Sequence, residues 1–201
     1  MAITVENPLV EGLERLPVPP TTLTIFGATG DLAHRKLLPA IYNLAHEGAL
    51  PERFNLIGAA RRDVTPDAFR EDARNSIRDF SRRPPDEQVL DKLLERIQYI
   101  SCPFDDPEGY GRIRSAIEEL DAEGGAPLNR VYYLSTAPEY FPIITHQLKE
   151  AGLQRHADVE VRAVIEKPFG TDLASALELQ RTVSEAFTEH QVFRIDHYLG
   201  K

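Results

Sequence analysis

The run Arg194-Ile195-Asp196-His197-Tyr198-Leu199-Gly200-Lys201 places an acid, an imidazole, a phenol and two cations side by side. A strand-like start followed by Asp-His-Tyr and a Gly-Lys pair suits a sheet edge where side chains converge on an anionic ligand. A solvated polar tail is the competing reading of the same residues. Near the other end, the apolar run Leu23-Thr24-Ile25-Phe26 leads directly into Gly27-Ala28-Thr29-Gly30-Asp31-Leu32-Ala33. That is a spacing variant of the dinucleotide fingerprint rather than the strict G-x-G-x-x-G. Gly27 permits a tight turn, Gly30 lets backbone approach a pyrophosphate, and Ala33 allows a helix to pack closely on the strand. The opening turn of that helix offers unpaired N–H groups and a positive dipole end to phosphates. Asp31 is placed to cap it. A valine at Gly30 is expected to obstruct the pyrophosphate and to force a disallowed dihedral.

Cofactor choice in such a turn depends on the end of the second strand, where a carboxylate receives a ribose hydroxyl or an arginine accommodates a 2′-phosphate. Here Gly58-Ala59-Ala60 leads to Arg61-Arg62, which favours NADP, while Asp63 leaves some NAD use open but disfavoured. Between the two ends, Glu166-Lys167-Pro168-Phe169-Gly170 follows a β-branched run. Lys167 is therefore expected at the carboxyl edge of the sheet, where ligands of open α/β folds collect.

Taken in register over residues 23 to 201, these three motifs resemble glucose-6-phosphate dehydrogenase. The family's nucleotide motif reads Gly-Ala-Ser-Gly-Asp-Leu-Ala and its substrate motif Arg-Ile-Asp-His-Tyr-Leu-Gly-Lys. The resemblance covers nearly the whole chain but only the family's amino-terminal part. It implies NADP-dependent oxidation of the C1 hydroxyl of β-D-glucose 6-phosphate to the lactone, in a cytoplasmic enzyme of the pentose phosphate pathway. It implies that Gly27 to Ala33 hold the cofactor and that Arg61 grips its 2′-phosphate, with Arg62 stacking on adenine or facing solvent. Lys167 would lie between sugar and nicotinamide, and Pro168 would match the family's cis-proline. His197 and Lys201 would hold the sugar phosphate, Tyr198 would support them by a hydrogen bond, and Asp196 would orient a catalytic histidine. Asp105 and Asp106 align with a loop that contacts the cofactor, through backbone groups because carboxylates repel phosphate. Lys36 is a further candidate at the nicotinamide end or a solvated helical lysine.

The sequence also departs from the family. The histidine that takes the proton lies beyond Lys201 in the family, and His34, His46, His146, His156 and His190 do not match its motif. The second, α+β domain and its homodimer contacts are expected to be absent, so the chain alone is expected to bind NADP without turning over substrate. Two alternatives remain: a non-catalytic NADP-binding module, and a short-chain-type reductase. The latter needs Tyr-x-x-x-Lys, and Tyr198-Leu199-Gly200-Lys201 is one residue too short.

Elements able to position these groups are legible in the periodicity. Strands are expected near Thr22–Phe26, Asn55–Ala60, Gln98–Cys102, Arg130–Ser135, Val161–Glu166 and Val192–Asp196. Helices are expected over Asp31–His46, from Thr65-Pro66 to about Ser81, then Asp86–Arg96, Pro107–Glu123, Tyr140–Ala151 and Thr171–Glu189. Gly48, Gly124-Gly125 and Gly152 are placed to end helices. Strands alternating with crossover helices predict an α/β protein with a Rossmann-like, doubly wound, mainly parallel sheet. We expect residues 1–20 to form an extended lead-in, rich in proline at Pro17, Pro19 and Pro20, and residues 21–201 to form the nucleotide-binding domain.

Composition narrows the function classes. With 201 residues, 42% hydrophobic and 27% charged, the chain fits an ordinary globular protein with a sizeable core. A net charge of −9 argues against general nucleic-acid or membrane-surface binding, so any anionic ligand must be held by local groups. No signal peptide or spanning helix is evident, no metal-ligand spacing occurs, and no P-loop motif is present. The single cysteine, Cys102, excludes an internal disulfide framework, fits a reducing compartment, and reads as a small buried apolar residue.

Overall fold

The structure is a computed structural model that describes residues 18–167 and 172–195. Its centre is a six-stranded, wholly parallel sheet in the order β3-β2-β1-β4-β5-β6. The strands are β1 (Thr21–Phe26), β2 (Phe54–Ala60), β3 (Ile97–Ser101), β4 (Asn129–Leu134), β5 (Val161–Glu166) and β6 (Val192–Ile195). β2, FNLIGAA, is buried along its whole length, the run expected of a strand covered on both faces. β4 alternates between half-buried and buried positions.

The crossovers sort by face. Helices α1 (Leu38–His46), α2 (Pro66–Phe80) and α3 (Glu87–Leu94) bury Leu38, Tyr42, Phe69, Ile77 and Leu90 against Ile25, Leu56 and Ala60. On the other face lie α4 (Pro107–Glu123), α5 (Phe141–Glu150) and α6 (Leu173–Ala186). They bury Ile113, Ile117, Ile144, Leu148 and Val183 against Phe26, Ile57, Leu134 and Ile165. The chain therefore changes direction at β1, which pairs with β2 on one side and β4 on the other. An open doubly wound sheet leaves a crevice at the carboxyl ends of the strands flanking such a reversal.

Local chemistry accounts for most helix ends. The side chain of Thr65 accepts from the Ala68 amide at 3.2 Å, that of Asp86 from Gln88 and Val89, and that of Asp106 from Glu108. Asp172 and Ser175 form a reciprocal capping box on α6. Cys102 is fully buried beneath α4, and burial pushes its thiol up to about 12. It is a packing residue, as its surroundings in the sequence suggested.

Several expectations need correction. The first crossover is not one regular α-helix over Asp31–His46, because Ala33–Leu37 is π-helical and the Leu38 amide donates to the Ala33 carbonyl. Pro39 supplies the reason, since it has no N–H to give to the carbonyl one turn back and its ring needs a wider turn. Asp31 does not cap this helix. Its exposed carboxylate instead faces Arg35, 3.8 Å away. The fifth helix opens with a 3₁₀ turn at Pro138–Tyr140. The last is shorter than Thr171–Glu189, ending at Ala186 before a 3₁₀ turn at Glu189–Gln191. Of the lead-in, Val18–Pro20 is exposed, yet the Pro20 carbonyl accepts from Asn129, so the segment is anchored at its end.

One packing constraint escaped the sequence reading. A Cβ on Gly58 would stand 2.7 Å from the ring of Phe69, which is fully buried. Gly58→Ala is therefore expected to cost about 1–3 kcal/mol in urea unfolding, and Phe69→Leu in the same background to recover part of it. Additive losses from the two changes would show that this contact does not set the spacing of α2 on β2.

Candidate nucleotide-binding site

The glycine turn sits at the carboxyl end of β1, at the reversal point of the sheet. Gly27 donates to the Ala59 carbonyl at 2.8 Å, Ala28 to the same oxygen at 3.3 Å, and Gly30 to Gly27 at 2.9 Å. The first bond of the following helix runs from the His34 amide to the Gly30 carbonyl, so the amides of Asp31, Leu32 and Ala33 precede the helical ladder. Those groups, with the positive end of the helix dipole, make an anion cradle. Ala28 and Ala33 are buried and press the turn onto the sheet, whereas Thr29 and Gly30 are partly open.

The two glycines have different tasks. Gly27 has φ +81°, and a Cβ there would lie 2.2 Å from the Ser135 carbonyl oxygen. Gly30 is not in the left-handed region, so the dihedral argument made for it belongs to Gly27. A Cβ at Gly30 would meet only the Gly27 carbonyl, at 3.0 Å, and would otherwise fill the mouth of the turn.

Ser135 and Thr136, just past β4, form the facing wall and were not singled out in the sequence. Ser135 Oγ and Thr136 Oγ1 are buried without a hydrogen-bond partner among the described residues. Buried hydroxyls left unpaired cost free energy that a polar ligand can offset. Their position on the strand adjoining β1 across the reversal is the signal that could have found them.

Along the same edge, Arg61 follows β2 and is exposed, with its guanidinium 5.7 Å from the centre of the Tyr140 ring. Tyr140 in turn meets Phe104 edge-on at 5.1 Å. An arginine against a tyrosine ring that is itself backed edge-on by a phenylalanine is suited to a heteroaromatic ring with a nearby phosphate. Arg62 is exposed, and its carbonyl accepts from the Tyr99 hydroxyl at 2.5 Å. That hydroxyl's pKa is raised by burial and further by Asp63 and Cys102, against the lowering effect of Arg62. Asp106 spends its carboxylate on capping α4, and Asp105 is exposed.

Lys167 directly follows β5 at the same edge, exposed, its amide donating to the Ile195 carbonyl at 3.1 Å. Next to it Glu166 is buried and accepts from the Tyr133 hydroxyl. Burial, then this hydrogen bond and the charge of Glu166, push the Tyr133 phenol well above its ordinary pKa, so it stays a donor. Lys36 is exposed on the π-helical turn, beside Arg35. Pro168, Asp196, His197, Tyr198 and Lys201 lie outside the described residues. Among the described residues no helix is long and apolar enough to cross a membrane, and no cluster of His, Cys, Asp and Glu is grouped to hold a metal ion.

A parallel sheet in this order, with a glycine turn and an anion cradle at its reversal, defines a Rossmann-type nucleotide-binding protein. The profile described as "Glucose-6-phosphate dehydrogenase, NAD binding domain" matches residues 24–201. The chain belongs to the glucose-6-phosphate dehydrogenase family. It is 44% identical over 199 residues to glucose-6-phosphate 1-dehydrogenase 2 of Mycobacterium tuberculosis, covering 97% of this chain and 39% of that protein. Against the Chlamydia muridarum enzyme the identity is 45% over 188 residues, covering 91% and 37%. A glucose-6-phosphate dehydrogenase solved in complex with its substrate glucose-6-phosphate superposes with a TM-score of 0.80 at 36% identity, over 92% of this chain and 39% of that one. The Mycobacterium avium enzyme gives 0.78 at 34% identity, over 90% and 37%. The chain thus spans about two fifths of the length of these relatives.

The glycine geometry leads to a paired expectation. Gly27→Ala should lower unfolding stability by about 1–3 kcal/mol or more, from the strained dihedral and the collision with Ser135. Gly30→Ala should cost less, since its dihedral is ordinary and only the Gly27 carbonyl, 3.0 Å from the new Cβ, must give way. Equal losses for both, read by urea titration, would contradict this division of roles.

Proposed function

We propose that the chain is the coenzyme-binding part of an NADP-dependent glucose-6-phosphate dehydrogenase. The observation that carries this reading is the glycine turn at the sheet reversal with Arg61 at the end of β2, in a chain matched over residues 24–201 by the family's nucleotide-binding profile. The residues present suit a dinucleotide: the mouth of the turn is a space that a Cβ at Gly30 would fill, and the orphaned hydroxyls of Ser135 and Thr136 stand across from it.

In this reading the amides after Gly30 hold the pyrophosphate, and Arg61 leaves or shares the face of Tyr140 to pair with a 2′-phosphate. Tyr140 and Phe104 border the adenine. Asp105 and Asp106 take part through their backbone. When bound, the cofactor would supply its nicotinamide as hydride acceptor for C1 of the sugar. Lys167 projects from the end of β5 to orient the reacting hydroxyl. Asp196 orients a base carried by polypeptide beyond these residues, while His197, Tyr198 and Lys201 hold the sugar phosphate. Glucose 6-phosphate is the proposed substrate, and homo-oligomerisation through the family's second domain is proposed for the longer enzyme in the cytoplasm.

Cofactor choice is tested at Arg61. Charge-assisted hydrogen bonds to phosphate imply that Arg61→Ala weakens NADP binding about 10- to 150-fold while leaving NAD nearly unchanged. Calorimetric titration of both cofactors reads the outcome, and equal losses for the two would remove the assignment.

A second measurement addresses the reaction. The purified 201-residue polypeptide should bind NADP yet form no NADPH with saturating glucose 6-phosphate, with a full-length family enzyme as control. Loss of a general base alone costs about 10²- to 10⁴-fold. Turnover near the control's rate would place an unrecognised base within these residues.

A further inference from the structure

A second polar groove lies at the opposite, amino edge of the sheet, far along the chain's path from the glycine turn. It encloses about 760 Å³ between α4, the start of β4 and the loop that follows α5. Three arginines and a histidine line it: Arg114, Arg130, Arg155 and His156, with the carboxylates Glu118 and Asp121. We propose that this groove is a binding site for a small phosphate-class oxyanion, separate from the nucleotide site.

The two carboxylates are already committed. Glu118 accepts from Arg114 at 2.8 Å. Asp121 receives the Arg130 guanidinium at 3.2 Å on one oxygen and the Leu128 amide at 2.9 Å on the other. The balance left over is cationic. Arg155 is exposed and has no acceptor among the described residues. His156 Nδ1 accepts from the Asp158 amide at 3.2 Å, which places the proton of the neutral ring on Nε2 and makes that atom a donor.

Arg130 supplies the observation that points to a ligand. Its side chain is only 8% exposed, and its Nε is buried without an acceptor even though its terminal nitrogen is paired with Asp121. A buried guanidinium with an unmatched N–H is costly, and an oxyanion seated against Arg130 and Arg155 would offset that cost and neutralise Arg155. On a chain of net charge −9, a local cationic surplus of this kind is not the background condition.

Inorganic pyrophosphate is the probe, titrated calorimetrically into the chain already saturated with NADP. Binding is expected to persist, and Arg155→Ala with His156→Ala to weaken it about tenfold or more. Both changes fall on a loop away from the core, so the double variant should retain its melting temperature and its NADP affinity. Competition between pyrophosphate and NADP would assign the anion to the glycine turn and overturn the proposal. So would absence of binding at about 10 mM, or unchanged affinity in the folded double variant. Failure here leaves the nucleotide reading intact, because that reading is tested at the other edge of the sheet.

Discussion

The approach of the Gly27 backbone to the Ser135 carbonyl is the contact on which the rest of the site depends. No side chain fits there, since a Cβ would stand 2.2 Å from that oxygen. β1 and β4 pair in register up to Phe26 and Leu134, and the chain must then leave β1 sharply enough to start a helix on the opposite face from α4. A residue at φ +81° accomplishes that turn without a Cβ penalty. The consequence is an opening between two strand ends whose crossovers depart in opposite directions. The first helical amides on one side and two unpaired hydroxyls on the other border that opening.

Burial gives the edge its order of exposed cations. The wholly buried β2 ends at Ala60, and the next residue, Arg61, is exposed over Tyr140. β5 ends in a buried Glu166 held by Tyr133, and the next residue, Lys167, is exposed. In both cases a strand locked in the core delivers a cation to the rim. The backbone of such a residue is fixed by its neighbours while its side chain is carried to the rim. Charge on this protein is thus placed rather than averaged, which a net charge of −9 would not suggest.

The amino-acid sequence by itself determined the strands, most of the helices and the class of the fold. Alternating apolar runs and crossover helices carry their own period, and caps such as Thr65-Pro66 and Asp86 act within a few residues. It also marked the glycine turn after β1 and the arginine after β2 as candidates, because the chemistry of those motifs is local and contiguous. Only the tertiary structure decided which glycine takes the left-handed dihedral, that Ser135 and Thr136 face the turn, and that Tyr140, backed by Phe104, stands beside Arg61. Each of these facts depends on which strands are neighbours and how closely their ends approach. The same is true of the paired Tyr133 and Glu166 and of Arg130 with its unmatched Nε. Pair contacts between residues far apart in the chain leave no periodic trace in it, so packing alone brings them to light.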